Sequence, residues 1–147
     1  MQKAIIVDLD GTLINSPMVM PDHNGNVDFS VWVEQTKFSP VNEWCSAIVH
    51  AHAQAGNKVI FLTARDDSEK FVTITTNWLV RNGFGYINYE LIMRSTSDHR
   101  TDDVMKEEAY NNKIKPFYDV LFAIDDKLKN VEMFRRIGVP ALHCSEY

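Results

Sequence analysis

The chain has 147 residues, a hydrophobic fraction of 45% and a charged fraction of 24%, which fits one ordinary globular domain. Its net charge of −5 at pH 7 speaks against a broad nucleic-acid tracking surface, which needs clustered Lys and Arg, but not against contact with a single nucleic-acid end. No apolar run approaches the roughly 18 residues of a membrane span, Asp8 comes too early for a signal peptide, and Cys45 and Cys144 match no zinc spacing and read as reduced thiols, so the chain is expected to be cytoplasmic.

In chain order, Ala4-Ile5-Ile6-Val7 is a continuous apolar run, as in a strand buried on both faces. It ends in Asp8-Leu9-Asp10-Gly11-Thr12. Residues 15–38 hold Pro17, Pro21 and the turn pair Asn24-Gly25, and read as a small hairpin or flap. Ser39-Pro40 is a good helix start, with Ser as N-cap and Pro at the first position; Val41, Trp44, Cys45 and Ile48 lie on one face and Gly56 is the stop. Trp44 and Trp78 read as core, and His52 as a partly buried core histidine. Lys58–Leu62 is a second strand. Phe71, Ile74, Trp78 and Leu79 mark a second helix, and Tyr89–Met93 a third strand. Thr101 can cap a helix over about 102–115. Val120–Ile124 is a fourth strand. Leu128, Val131, Phe134 and Ile137 mark the last helix, and Ala141–His143 a short final strand. Strands alternating with helices predict an α/β fold with a parallel sheet covered on both faces. The ligand then lies beyond the carboxyl ends of the strands.

Asp8, Asp10, Thr63, Asp125 and Asp126 all fall at or just past those ends. A phosphomonoester is a dianion, so a carboxylate attacking it needs cations, an in-line approach and an acid for the leaving oxygen. Asp8 suits the nucleophile and Asp10 the general acid and base. Asp8, Asp10, Asp125 and Asp126 offer hard oxygen ligands of the kind that hold Mg²⁺. Thr63 can hold a phosphate oxygen. Gly11 lets backbone approach a ligand, and Thr12 adds a hydroxyl and an amide. Lys106 offers a mobile cation that Asp102, four residues earlier, can orient. Arg65 can bind a substrate phosphate as a fork. Each feature also has a plainer reading: an Asp-Gly turn, a helix cap at Asp125-Asp126, a solvated Lys106. The joint order of the features at strand ends favours a metal-dependent phosphate site. No Gly-x4-Gly-Lys-Ser/Thr and no Gly-x-Gly-x-x-Gly occurs.

Asp8-Leu9-Asp10-Gly11-Thr12, Thr63, Lys106 and Asp125-Asp126 resemble the four motifs of the haloacid dehalogenase (HAD) superfamily of phosphatases. Over the last third, Arg100–Glu108, Phe117–Val120, Ala123–Asp126 and Val131–Val139 resemble the 3′-phosphatase domain of phage polynucleotide kinase-phosphatases. The resemblance implies a Rossmann-like three-layer sandwich; a single domain over 1–147 is expected, with the flap or cap insertion at about 15–38 and, in departure from those kinase-phosphatases, no kinase domain. It implies Mg²⁺-dependent removal of a 3′-phosphate from nucleotides or nucleic-acid ends through an aspartyl-phosphate. It makes Asp8 the nucleophile and Asp10 the acid and base, with the Asp10 backbone carbonyl on the metal beside Asp125 and Asp126. Thr63 and Lys106 then hold and screen the phosphate, Asp102 supports the lysine, and Arg65 matches an active-site arginine. A second functional arginine of that family has no counterpart among Leu13–Val19. An end-healing role implies a kinase or ligase on another chain. The alternatives are a phosphatase for a small nucleotide or other metabolite, and a non-catalytic module that binds phosphate or protein.

Overall fold

The computed structural model describes residues 1–144. Five strands form one sheet: β1 (Gln2–Val7), β2 (Lys58–Asp66), β3 (Tyr89–Arg94), β4 (Tyr118–Asp125) and β5 (Ala141–His143). Their order is β3-β2-β1-β4-β5, and every pairing is parallel. The β-branched runs Ile5-Ile6-Val7 and Val59-Ile60 favour the pleated, doubly buried setting of central strands. Alternation splits their side chains between two cores. Ile5, Val7, Val59 and Phe61 pack with Cys45 and Val49 of α2 (Glu43–Gln54) and with Trp78 and Leu79 of α3 (Glu69–Arg81). Ala4, Ile6, Ile60, Leu62 and Ala123 face Met105 and Ala109 of α4 (Asp102–Ala109) and Val131 and Phe134 of α5 (Leu128–Arg136). Helices therefore cover both faces, as the α/β reading requires.

The chain winds one way from β1 to β3 and the other way from β4 to β5. The crevice between β1 and β4 is the switch point where such sheets bind ligands.

Three local expectations are corrected. The segment 15–38 forms no hairpin. A turn closes at Asp22–Asn26, and α1 (Phe29–Gln35) follows, running into a 3-10 turn at Thr36–Phe38. Asp28 caps α1 by accepting from the amides of Ser30 and Val31. Val33 is buried against Phe71 and Ile74 of α3, which secures a helical rather than a strand period. The helix expected at Ser39-Pro40 starts at Glu43, because two local carbonyls are already engaged: Ser39 accepts from Trp78 Nε1 at 2.8 Å and Pro40 from the Asn15 amide at 2.9 Å. Trp44 consequently lies on the outer side of α2 and is 43% exposed, whereas Trp78 is core. The third helix gives way at Tyr110 to a wider π turn over Tyr110–Ile114.

Candidate active site

Four strand ends meet at the carboxyl edge of the sheet. Beneath them lies the side chain of Lys106, 2% exposed. Its Nζ donates to Asp8 Oδ1 at 2.9 Å and to Asp125 Oδ2 at 2.8 Å. The Thr12 hydroxyl donates to the other Asp8 oxygen at 3.2 Å. Asp125 is held further by Asn130 Nδ2 at 3.1 Å and by the Lys127 amide at 3.0 Å. The Asp8 amide donates to the Ile124 carbonyl, tying the ends of β1 and β4 together. Lys106, expected as a mobile cation, is buried and doubly paired here, since α4 packs it against the sheet edge.

Asp8, Asp125 and Asp126 each bring a carboxylate oxygen within 4.8 Å of the others. Burial and then the charge of Asp125 push the Asp8 carboxyl well above the ordinary carboxylate range, which Lys106 offsets only in part. Burial raises Asp126 as well. Burial alone would lower the Lys106 ammonium, but the charges of Asp8 and Asp125 outweigh it and hold the group above its ordinary value. Three carboxylates thus share one buried ammonium. Asp126 Oδ1 is buried with no hydrogen-bond partner among the described residues. A hard divalent cation fits these observations: the donors are all oxygen, one lone pair set is orphaned, and positive charge is deficient. Gly11 has φ +80°, and a Cβ there would come within 2.3 Å of Asp126 Oδ2. Only glycine lets the Asp8–Thr12 loop turn this closely under the carboxylate.

Asp10 belongs to a second arrangement. Its carboxylate accepts from Arg65 Nε at 2.8 Å, from Arg65 Nη2 at 2.6 Å and from the Ser16 hydroxyl at 2.6 Å. It lies outside the three-carboxylate cluster. Arg65 does not hold its fork open for a phosphate as expected. It grips Asp10 and also donates to Thr75 and Thr36 hydroxyls, both at 3.1 Å. The cause is a bulge in β2. Thr63 pairs with Met93 and Asp66 with Arg94, leaving Ala64 and Arg65 unpaired and turned toward the site. Within that bulge the Thr63 hydroxyl accepts from the Arg65 amide at 3.1 Å.

Asp8, Asp10, Gly11, Thr63, Arg65, Asp102, Lys106 and Asp126 line one cavity of about 550 Å³, a normal size for a small-ligand site. Thr12 and Asp125 sit behind that lining and act on it through Asp8 and Lys106. Asp102 does not orient Lys106 as expected: it bonds Arg94 Nη2 at 2.5 Å and Lys127 Nζ. These two cations reach the carboxylate from β3 and from the end of β4, whereas Lys106 turns inward to Asp8 and Asp125. Sequence reasoning missed Arg94, Lys127, Asn130 and Ser16. Arg94 was within reach of the strand-end rule, since it immediately follows the strand read as ending at Met93. The partners of Asn130 and Ser16 leave no signal in the sequence.

Residues 2–146 match the family described as the polynucleotide kinase PNKP phosphatase domain. The chain is 26% identical over 148 aligned positions to a protein of Autographa californica nuclear polyhedrosis virus named "Putative bifunctional polynucleotide kinase/RNA ligase", covering 99% of this chain and 20% of that protein. Among solved structures it is similar to a chain in "Structure of the Pnkp1/Rnl/Hen1 RNA repair complex", with a TM-score of 0.81 and 27% identity, over 99% of this chain and 44% of that one. It is likewise similar to a chain in "Structure of Pnkp1/Rnl/Hen1 complex", with a TM-score of 0.79 and 29% identity, over 97% of this chain and 46% of that one. The chain therefore spans a fifth of the viral relative and less than half of either structural one. With the match running almost end to end over an α/β sheet that gathers Asp8, Asp10, Lys106 and Asp125 at one edge, the chain belongs to the PNKP phosphatase domain family and is a HAD-type phosphatase.

Proposed function

We infer that the chain is a Mg²⁺-dependent phosphatase that removes a 3′-phosphate from nucleic-acid ends by way of an aspartyl-phosphate. The observation that carries the mechanism is the division of labour between two carboxylates facing one cavity: Asp8 is set by Lys106 and Thr12, and Asp10 by the fork of Arg65. The Asp8 carboxylate attacks phosphorus in line, and the bond to the 3′ oxygen breaks. Asp10, as general acid, delivers a proton to that leaving oxygen. It then takes a proton from a water that attacks the phosphorus, and the bond to Asp8 breaks, releasing inorganic phosphate. Lys106 stabilises the charge on the reacting group throughout, and Thr63 donates to a phosphate oxygen. Mg²⁺ held by Asp8, Asp125 and Asp126 would screen the phosphate dianion from the carboxylate that approaches it.

The family description and the repair assemblies among the structural relatives support a polynucleotide substrate. The kinase and ligase named for the viral relative support partners of those activities in end healing. The test is phosphate release from 3′-phosphorylated oligonucleotides beside 5′-phosphorylated ones and free 3′- and 5′-nucleotides. Preference for the 3′-phosphorylated oligonucleotide is expected, with no release by Asp8→Asn. Equal release from every phosphomonoester would turn the reading to a small-metabolite phosphatase, and unchanged turnover by Asp8→Asn would remove the covalent route.

A further inference from the structure

The reacting carboxylates occupy only the floor of the cavity, and its two walls differ in chemistry. One wall is apolar and comes from the insertion between β1 and α2. It consists of Val19, Phe29 and Trp32, with Phe71 of α3 behind them. Phe29 and Trp32 lie three residues apart on α1 and so share a helix face. The Trp32 ring lies 5.7 Å from the Arg65 guanidinium, and its indole N–H donates to the Pro17 carbonyl at 2.9 Å. Phe29 has no place in any of the buried apolar clusters and lines the cavity while 56% exposed. The helix that carries it is anchored at three points. Asp28 caps its helix, Val33 anchors the helix on α3, and Lys70 Nζ donates to the Ser30 hydroxyl at 2.8 Å. The other wall is mixed in charge: Arg94, Arg100 and Lys127 line it together with Asp98 and Asp102, which pair with them.

An exposed aromatic ring on a capped helix, lining the same cavity as the phosphate site, matches a nucleotide at the end of a strand. The base of that nucleotide stacks on the ring. We propose that Phe29, backed by Trp32, is the stacking platform for the base of the terminal nucleotide that carries the scissile phosphate. This rests on the polynucleotide reading above and extends it to a specificity residue. Stacking reads no base edge, so the platform favours any base over none.

The experiment compares kcat/KM for a 3′-phosphorylated oligonucleotide with that for the same oligonucleotide whose terminal nucleotide is abasic. The native chain should prefer the base-bearing end on the order of tenfold. Phe29→Ala should bring that ratio close to one, and Phe29→Trp should restore it. A native ratio near one, or an unaltered ratio in Phe29→Ala, overturns the platform while leaving 3′-phosphatase activity standing. Failure of the native chain to release phosphate from the base-bearing oligonucleotide overturns the polynucleotide reading, and the platform with it.

Discussion

Lys106 shows how much of this site is decided by one side chain. Its aliphatic stem passes through the core between α4 and the sheet, and its ammonium ends between Asp8 and Asp125. Taking this charge out of water is unfavourable by itself, so the lysine is tolerable only because the carboxylates surround it. The converse also holds: the carboxylates need the lysine. Lys106→Met would leave Asp8, Asp125 and Asp126 without a buried cation. In chelator-containing buffer the variant should lose about 3–5 kcal/mol of unfolding free energy by urea denaturation. An unchanged midpoint would show that solvent already screens the cluster. The same substitution should stop turnover, because the Asp8 carboxylate then lacks its orienting donor.

At the scale of elements, the strand-end loops are held by contacts that bridge distant parts of the chain. Asn42 stands at the N-cap position of α2 but does not cap it with its side chain. Its Nδ2 donates to the Thr12 carbonyl at 2.8 Å, and its amide donates to the Leu13 carbonyl at 2.8 Å. α2 thus clamps the loop that presents Asp8, Asp10 and Gly11. Asn42→Ala leaves a buried carbonyl unpaired and should destabilise the chain by about 1–3 kcal/mol. Turnover should fall with it, as the loop carrying both reacting carboxylates loosens. Thermal unfolding and kcat measured together check this, and loss of stability with kcat intact would separate the clamp from catalysis. The β2 bulge works in the same way. Two extra residues between Thr63 and Asp66 carry Arg65 to Asp10, although these residues are 55 positions apart.

At the scale of the whole molecule, the site lies where the sheet changes winding direction, and both halves contribute carboxylates. A divalent cation bound there would link the ends of β1 and β4 and favour the folded chain by mass action. Mg²⁺ at a hundredfold excess over its Kd should stabilise the fold by about 2.7 kcal/mol, visible as a rise in Tm by calorimetry. Asp126→Asn, which removes one ligand and one repelling charge, should diminish that rise. An equal rise in the variant would place the ion elsewhere. Over the described residues no helix is long and apolar enough to cross a membrane.

The chemistry was legible in the sequence because it is written in residue types at strand ends. Asp8, Thr63 and Asp125 each follow an apolar run, and parallel sheets gather such ends on one edge whatever the details of packing. The alternation of strands and helices decided the fold for the same reason, since each element must bury its apolar face. What only the tertiary structure decided are the partners. Arg65 turns from a phosphate ligand into the clamp of Asp10 because of a two-residue bulge. Asp102 pairs with Arg94 and Lys127 rather than with the lysine on its own helix. Within the segment 15–38, Phe29–Gln35 becomes a helix bearing an exposed Phe29 because α3 offers Val33 a place to bury. Local pattern determines which groups arrive at the edge. Register, bulges and packing between distant segments determine which of them touch.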